Sequence, residues 1–394
     1  MRKLLLLGLP MFAAVAAIDA LSFLPLDHPA IQYDKTTTRD RVGILAQKLD
    51  KHEVRLSYDP EFGYLKSLLQ ALHVPASSQL LVFSKTSFQA AKIFPRMPRA
   101  IYHSDDVTVG YVRGGDVLEV ASVDPQLGTV FYTLDQENVP QPALVRRAEC
   151  IQCHDGPATL GVPGMLIRSV HVDRTGYALL PAPSYVTDHT SPLSHRWGGW
   201  YVTGTHGSQY HMGNQILESR GETELDLSKG ANLTSLSRQL DVDAYLQPTS
   251  DIVSLMVMEH QTRMTNLLTR LGWEARMEAG AAKLDDMVRE VVEYMVFEKE
   301  TPLKEPIKGS ERYAADFAAL GPKDHKGRSL RDLDMKTRMF KYPCSFLIYS
   351  EQFDSLPQAA KDKLYRRLRE RLTEQNRLDI IEILKDTKRD FPPS

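Results

Sequence analysis

Cys150-Ile151-Gln152-Cys153-His154 brings two thiols and an imidazole into five consecutive positions. In a helical turn, positions i, i+3 and i+4 share one face, so Cys150, Cys153 and His154 are expected to point the same way. Thiols at this spacing can form thioether bonds to the two vinyl groups on one porphyrin edge. The imidazole that follows can bind the iron, and the pattern is that of covalent c-type haem attachment. Other chemistries also use Cys-x-x-Cys. A redox dithiol wants a helix N-terminus directly after a strand, and Arg146-Arg147-Ala148-Glu149 does not read as that strand. A zinc site needs a fourth ligand and convergence of the adjacent Cys153 and His154 on one ion. A disulfide across two intervening residues is strained. The third cysteine, Cys344, lies in the apolar run Tyr342-Pro343-Cys344-Ser345-Phe346 and reads as a buried free thiol.

On Cys150, Cys153 and His154 the chain resembles the c-type cytochromes. That resemblance implies one covalent haem c, held by Cys150 and Cys153, with His154 as proximal iron ligand. More loosely, Trp197-Gly198-Gly199-Trp200-Tyr201-Val202-Thr203-Gly204-Thr205-His206-Gly207 and Ser345-Phe346-Leu347-Ile348-Tyr349-Ser350 are similar to a group of secreted bacterial c-haem proteins without an assigned activity. The sequence holds no second Cys-x-x-Cys-His, so one haem is expected rather than two.

Electron-transfer haems fill the sixth iron position with Met or His, whereas catalytic haems often leave it open. His211 and Met212, in Gln209-Tyr210-His211-Met212-Gly213-Asn214, are the first candidates for a distal ligand, followed by His206 and then Met165. Arg196 is a candidate partner for a haem propionate through a charge-assisted pair, and Trp197 or Trp200 could wall the porphyrin. His260, flanked at helical spacing by Met256 and Met264, reads as a core histidine or as a group covering the haem. Two functions follow as expectations. One is an exported mono-haem cytochrome that transfers single electrons to a redox partner protein. The other is a c-haem oxidoreductase, peroxidase-like, with an open distal site.

These residues need a scaffold. Ile44, Leu45 and Leu49 begin a helical pattern, and Leu65, Leu68, Leu69 and Leu72 continue the i, i+3, i+4 spacing after Pro60 and Gly63. Leu80–Phe83 reads as a buried strand. Strands over 108–113, 117–121 and 129–133, separated by Gly114-Gly115-Asp116 and Asp124-Pro125-Gln126-Leu127-Gly128, predict an antiparallel meander. From Thr249 the pattern is helical, with helices expected to about Arg276, over 284–299, 312–320, 335–340 and 357–385. The fold class is therefore α+β. The expected organisation is a signal peptide over 1–20, an α+β domain over 21–140, a haem-binding segment over 141–230 and a mainly helical region over 231–394.

Arg2 and Lys3 precede an apolar run of about 15 residues ending near small residues, the form of a secretory signal. If it is not cleaved, it would tether the protein to a membrane. A periplasmic or secreted bacterial location is expected. The formal net charge of −2 supplies no positive field, so nucleic-acid binding is not expected. Asn232-Leu233-Thr234 is a formal glycosylation sequon. Arg366, Arg367, Arg369 and Arg371 read as a solvated helix face that could dock an acidic partner.

Overall fold

The computed structural model describes residues 23–179, 182–217 and 225–392; the expected signal segment lies outside them. In chain order the elements are α1 (Arg41–Asp50), α2 (Leu65–Ala71), β1 (Leu80–Val82), β2 (Arg99–His103), β3 (Val107–Tyr111), β4 (Val117–Asp124), β5 (Gly128–Asp135) and β6 (Leu144–Arg146). There follow α3 (Ile151–His154), β7 (Arg168–Val170), β8 (Ser184–Val186), β9 (Trp200–Tyr201), α4 (Ile252–Arg276), α5 (Ala281–Met295) and α6 (Glu311–Ala319). The chain ends with α7 (Glu351–Asp354), α8 (Gln358–Glu374) and α9 (Leu378–Thr387). This is an α+β protein, with helices concentrated in the C-terminal half.

The meander β3-β4-β5 forms the middle of a seven-stranded antiparallel sheet ordered β6-β5-β4-β3-β2-β1-β9. Side chains alternate between its two faces, as pleating requires. Leu81, Tyr102, Val109, Val120, Val130 and Tyr132 meet Val42 and Leu45 of α1 and Leu65 and Leu68 of α2 in one core. Leu80, Val82 and Ile101 face the other way and join a second core built around α4. The last strand, β9, comes from the central segment and pairs Tyr201 with Leu81 and Trp200 with Val82. The sheet is thus shared between the N-terminal and central parts of the chain.

Helix α4 is buried over nearly its whole length, as expected for a helix surrounded by partners rather than lying on a surface. Asp251 caps it, accepting a hydrogen bond from the Ser254 N–H at 2.8 Å. His103, at the end of β2, ties the sheet to this helix. Its Nε2 lies 2.7 Å from Ser254 Oγ, while the Gln261 amide donates to its Nδ1 at 3.4 Å.

Two expected helices take a different form. Residues 335–340 fold as a turn, because the Asp334 carboxylate accepts from both the N–H and the hydroxyl of Thr337, at 3.0 and 2.8 Å. That local bonding competes with helix formation, and Met335 adopts a left-handed φ of 52°. The expected helix over 357–385 is divided into α8 and α9 at Asn376, whose φ is 54°, a left-handed helix end that asparagine tolerates. Among the described residues no helix is long and apolar enough to cross a membrane.

Burial pushes the His103 pKa down to about 4, against about 6.5 in an unfolded chain. Between those values the unfolded chain takes up a proton that the fold refuses, so this histidine's contribution to stability is present above about pH 6.5 and is lost on acidification. Relative to His103→Gln, the native protein should therefore lose up to about 1.4 kcal/mol of stability per pH unit through this window. Urea denaturation of both proteins at a series of pH values measures it, and a pH-independent difference would contradict the assignment.

Candidate functional site

The edge strand β6 delivers the chain to a single helical turn. Residues 148–150 form a 3-10 turn and Ile151–His154 continue it as α3. Cys150 has helical φ and ψ of −63° and −26°, and Asp155 ends the turn in an extended conformation. Cys150 is partly buried, Cys153 is exposed, and both are free thiols. Burial, reinforced by the negative charges of Glu149 and Glu119, raises the Cys150 pKa.

His154 is held more firmly than its position at the end of a short turn suggests. Its ring packs on Phe131 of β5 with centroids 4.6 Å apart. Gly164 closes on it twice: the Gly164 N–H donates to His154 O at 2.9 Å, and His154 Nδ1–H donates to Gly164 O at 2.9 Å. The second bond fixes the tautomer, leaving Nε2 as the lone-pair nitrogen. Burial lowers the His154 pKa, which keeps the ring neutral and able to ligate. Behind Gly164, the Asn266 amide of α4 donates to Met165 O at 2.8 Å.

The sheet beneath the turn carries charge. Glu119 of β4 accepts from Gln89 Nε2 at 2.9 Å and Arg99 Nη1 at 2.7 Å, and from Ser87 Oγ. Arg147 donates from Nε to Thr133 Oγ1 at 2.8 Å and lies 3.7 Å from Glu149. Phe131, Gly164, Asn266, Glu119 and Arg99 did not stand out in the sequence. They reach the turn through sheet register and tertiary packing.

The distal candidates fall elsewhere. His206 and His211 pack together with ring centroids 4.7 Å apart, and His211 meets Trp197 at 5.3 Å. Met212 Sδ lies 3.5 Å from Ser169 Oγ, and the Asn232 N–H donates to His206 Nε2 at 3.0 Å. Burial, with His206 adding to it, pushes the His211 pKa down to about 3. This cluster adjoins β9, through Asn214 N–H to Trp200 O at 2.9 Å, whereas His154 lies over β5. The strand order sets β9 at one edge and β5 next to the other edge, about 24 Å apart at a spacing of ~4.8 Å per strand. His206, His211 and Met212 are brought together with one another but not with His154. Met165 follows the Gly164 clasp and lines a cavity with Asp105, Asp106, Gln261 and Asn266.

Arg196 is likewise committed. Its guanidinium is buried, 3.1 Å from Glu259, and donates to the Ser191 and His189 carbonyls at 2.7 and 3.0 Å. It serves this internal network rather than a propionate. Trp197 is buried, and Trp200 Nε1 donates to Arg168 O at 2.8 Å. His260 lies 2.8 Å from both His189 Nδ1 and Ser345 Oγ, in the interior. Cys344 is a buried thiol whose pKa burial pushes up to about 12. The Asn232 amide of the sequon donates to Gly207 O at 2.8 Å and is engaged within the fold. On α8, Arg367, Arg369 and Arg371 pair with Glu370, the Pro392 carbonyl and Glu298, leaving Arg366 exposed.

Among the described residues the close-set group of metal-capable side chains is Asp324, His325 and Asp386, which includes neither Cys150 nor Cys153. No family model matches the chain, and neither a curated protein nor a solved structure matches it.

A Cβ added at Gly164 would stand 2.2 Å from Asn266 Oδ1. Gly164→Ala must therefore shift the loop or turn the Asn266 side chain off Met165 O, at an expected cost of about 1–3 kcal/mol. The same shift should break the His154 Nδ1–H bond, so that nitrogen NMR of the ring would report mixed tautomers in place of one. Unchanged stability together with a single Nδ1–H tautomer would refute the role given to this glycine.

Proposed function

We propose that the chain carries one covalent c-type haem on the turn Cys150–His154 and exchanges single electrons with a partner protein outside the cytoplasm. The observation that carries this reading is the doubly bonded His154, with Nδ1 anchored to Gly164 O and Nε2 without a protein partner among the described residues. The residues fit the group. Two unpaired thiols and one oriented imidazole lie on a single helical turn, the spacing that thioether attachment needs. When bound, such a haem supplies a one-electron Fe(II)/Fe(III) couple.

The chain's own residues then have separable tasks. Cys150 and Cys153 hold the group, and the exposure of Cys153 keeps that edge near the surface where a partner can approach. His154 ligates through Nε2, while the carbonyl of Gly164 makes its ring a better donor and sets its direction. Phe131 limits rotation of the ring. The basic n-region and apolar run at the N-terminus support export, and attachment through two sulfurs retains the group in a compartment from which free haem would diffuse.

A second reading, a c-haem oxidoreductase with an open distal site, is favoured by the placement of His206, His211 and Met212 at the far end of the sheet.

Expression with a c-type maturation system should yield a coloured protein heavier than the polypeptide by roughly 600 Da. Replacing Cys150 and Cys153 by Ala should abolish that increment, and His154→Ala should keep it with an altered spectrum. A colourless product of polypeptide mass would overturn the proposal. In the coloured protein, a reduced spectrum unaffected by carbon monoxide supports electron transfer, and ready ligand binding supports the second reading.

A further inference from the structure

Electrostatics around an iron ligand depend on which charges the fold fixes near it. Phe131, on which the His154 ring rests, pairs directly with Ala121 of β4. Glu119 is two residues from Ala121 and pairs with Thr133, so it projects from the same face as Phe131 and is its diagonal neighbour. Such diagonal positions lie about 7–8 Å apart. The Glu119 carboxylate is not free to move away. Gln89 and Arg99 hold it at 2.9 and 2.7 Å, with Ser87 as a third donor. Its side chain is 19% exposed and that of Arg99 16%, so the pair is only weakly screened. Arg99 Nε is buried and makes no hydrogen bond, so this cation is tied to the site mainly through Glu119. The other local pair, Arg147 with Glu149, is far more exposed, Glu149 at 64%, and solvent screens it.

Building on the proposed haem attachment, we propose that Glu119 and Arg99 are positioning residues that set the reduction potential of the iron held by His154, with opposite signs. A fixed carboxylate favours the more positive ferric state and lowers the potential; the guanidinium favours the ferrous state and raises it. Net charge and burial near the iron are among the protein's established levers on potential.

The test is potentiometric titration of the mature haem-loaded protein, after intact mass has confirmed attachment. Glu119→Gln should raise the Fe(II)/Fe(III) ratio at a fixed ambient potential about tenfold, equivalent to 59 mV for one electron. Arg99→Gln should lower it by a similar factor, and the double variant should return to within about twofold of the native protein. Glu119→Asp and Arg99→Lys, which keep the charges, should stay within the same twofold range. Ser87→Ala, which strips one donor from the carboxylate, should lower the ratio and provides a milder probe if Glu119→Gln does not fold. A purely structural role for the pair would change haem yield or stability without opposite shifts in potential. Single variants that shift in the same direction, or less than twofold, overturn this inference while leaving haem attachment intact. Absence of the haem mass overturns the underlying reading instead.

Discussion

The site depends on two hydrogen bonds between His154 and Gly164. A four-residue helix at the end of an edge strand has too few internal bonds to hold a side chain in one direction. Gly164 supplies that constraint by bonding both the backbone and the ring of the same histidine. A Cβ at this position would press on the Asn266 side chain that bonds Met165 O, so the close approach of loop and helix favours glycine. The clasp also explains why the site needs so large a scaffold. Phe131 belongs to the central sheet, Gly164 to an irregular loop and Asn266 to the buried helix α4, and all three must be in place before His154 has one orientation.

Much of the fold was legible because periodicity is local. The alternation through Val109, Val120 and Val130 marked the meander, and the spacing of Leu65, Leu68 and Leu69 marked α2. Where side chains bond their own backbone, periodicity misleads, as at Asp334 and Thr337. Strand β9 was invisible for a different reason. Its two residues are held by pairing with β1, more than a hundred positions earlier, and carry little pattern of their own. The site divides in the same way. Cys150, Cys153 and His154 are contiguous and could be read directly. The surroundings of His154 are set by register between β4 and β5 and by the packing of α4, which spacing along the chain does not encode.

Two residues that the sequence offered as haem neighbours, Arg196 and His260, have a shared physical task. Arg196, Glu259, Thr187, His189, His260 and Ser345 are linked in the interior. Burial is the dominant influence on Glu259 and raises its pKa to about 7, against the opposing pull of Arg196; burial likewise lowers those of His189 and His260. Isolated buried charges are costly, and breaking one such pair leaves the other partner unsatisfied. The network joins the central segment to α4 and to the Ser345 turn, fixing how these parts meet. Chemistry-bearing side chains in a sequence therefore mark places where polarity must be satisfied as well as places where reactions occur.

His154 differs from those histidines in where its second nitrogen lies. In His260 both ring nitrogens are within hydrogen-bonding distance of protein groups. His189 and His206 each keep one ring nitrogen without a partner, but that atom is sealed in the interior. His154 is only partly buried; one nitrogen is bonded, and the other is left without a protein partner among the described residues. The fold holds the back of this ring tightly while Cys153, on the same turn, remains at the surface. Firm anchoring on one side and accessibility on the other are what a protein needs if a ligand bond must keep its geometry while electrons pass to a partner that arrives and leaves. Under the proposed haem attachment, the same division would make the fixed charges of Glu119 and Arg99 effective, because an oriented ring over an ordered sheet keeps a constant distance from them.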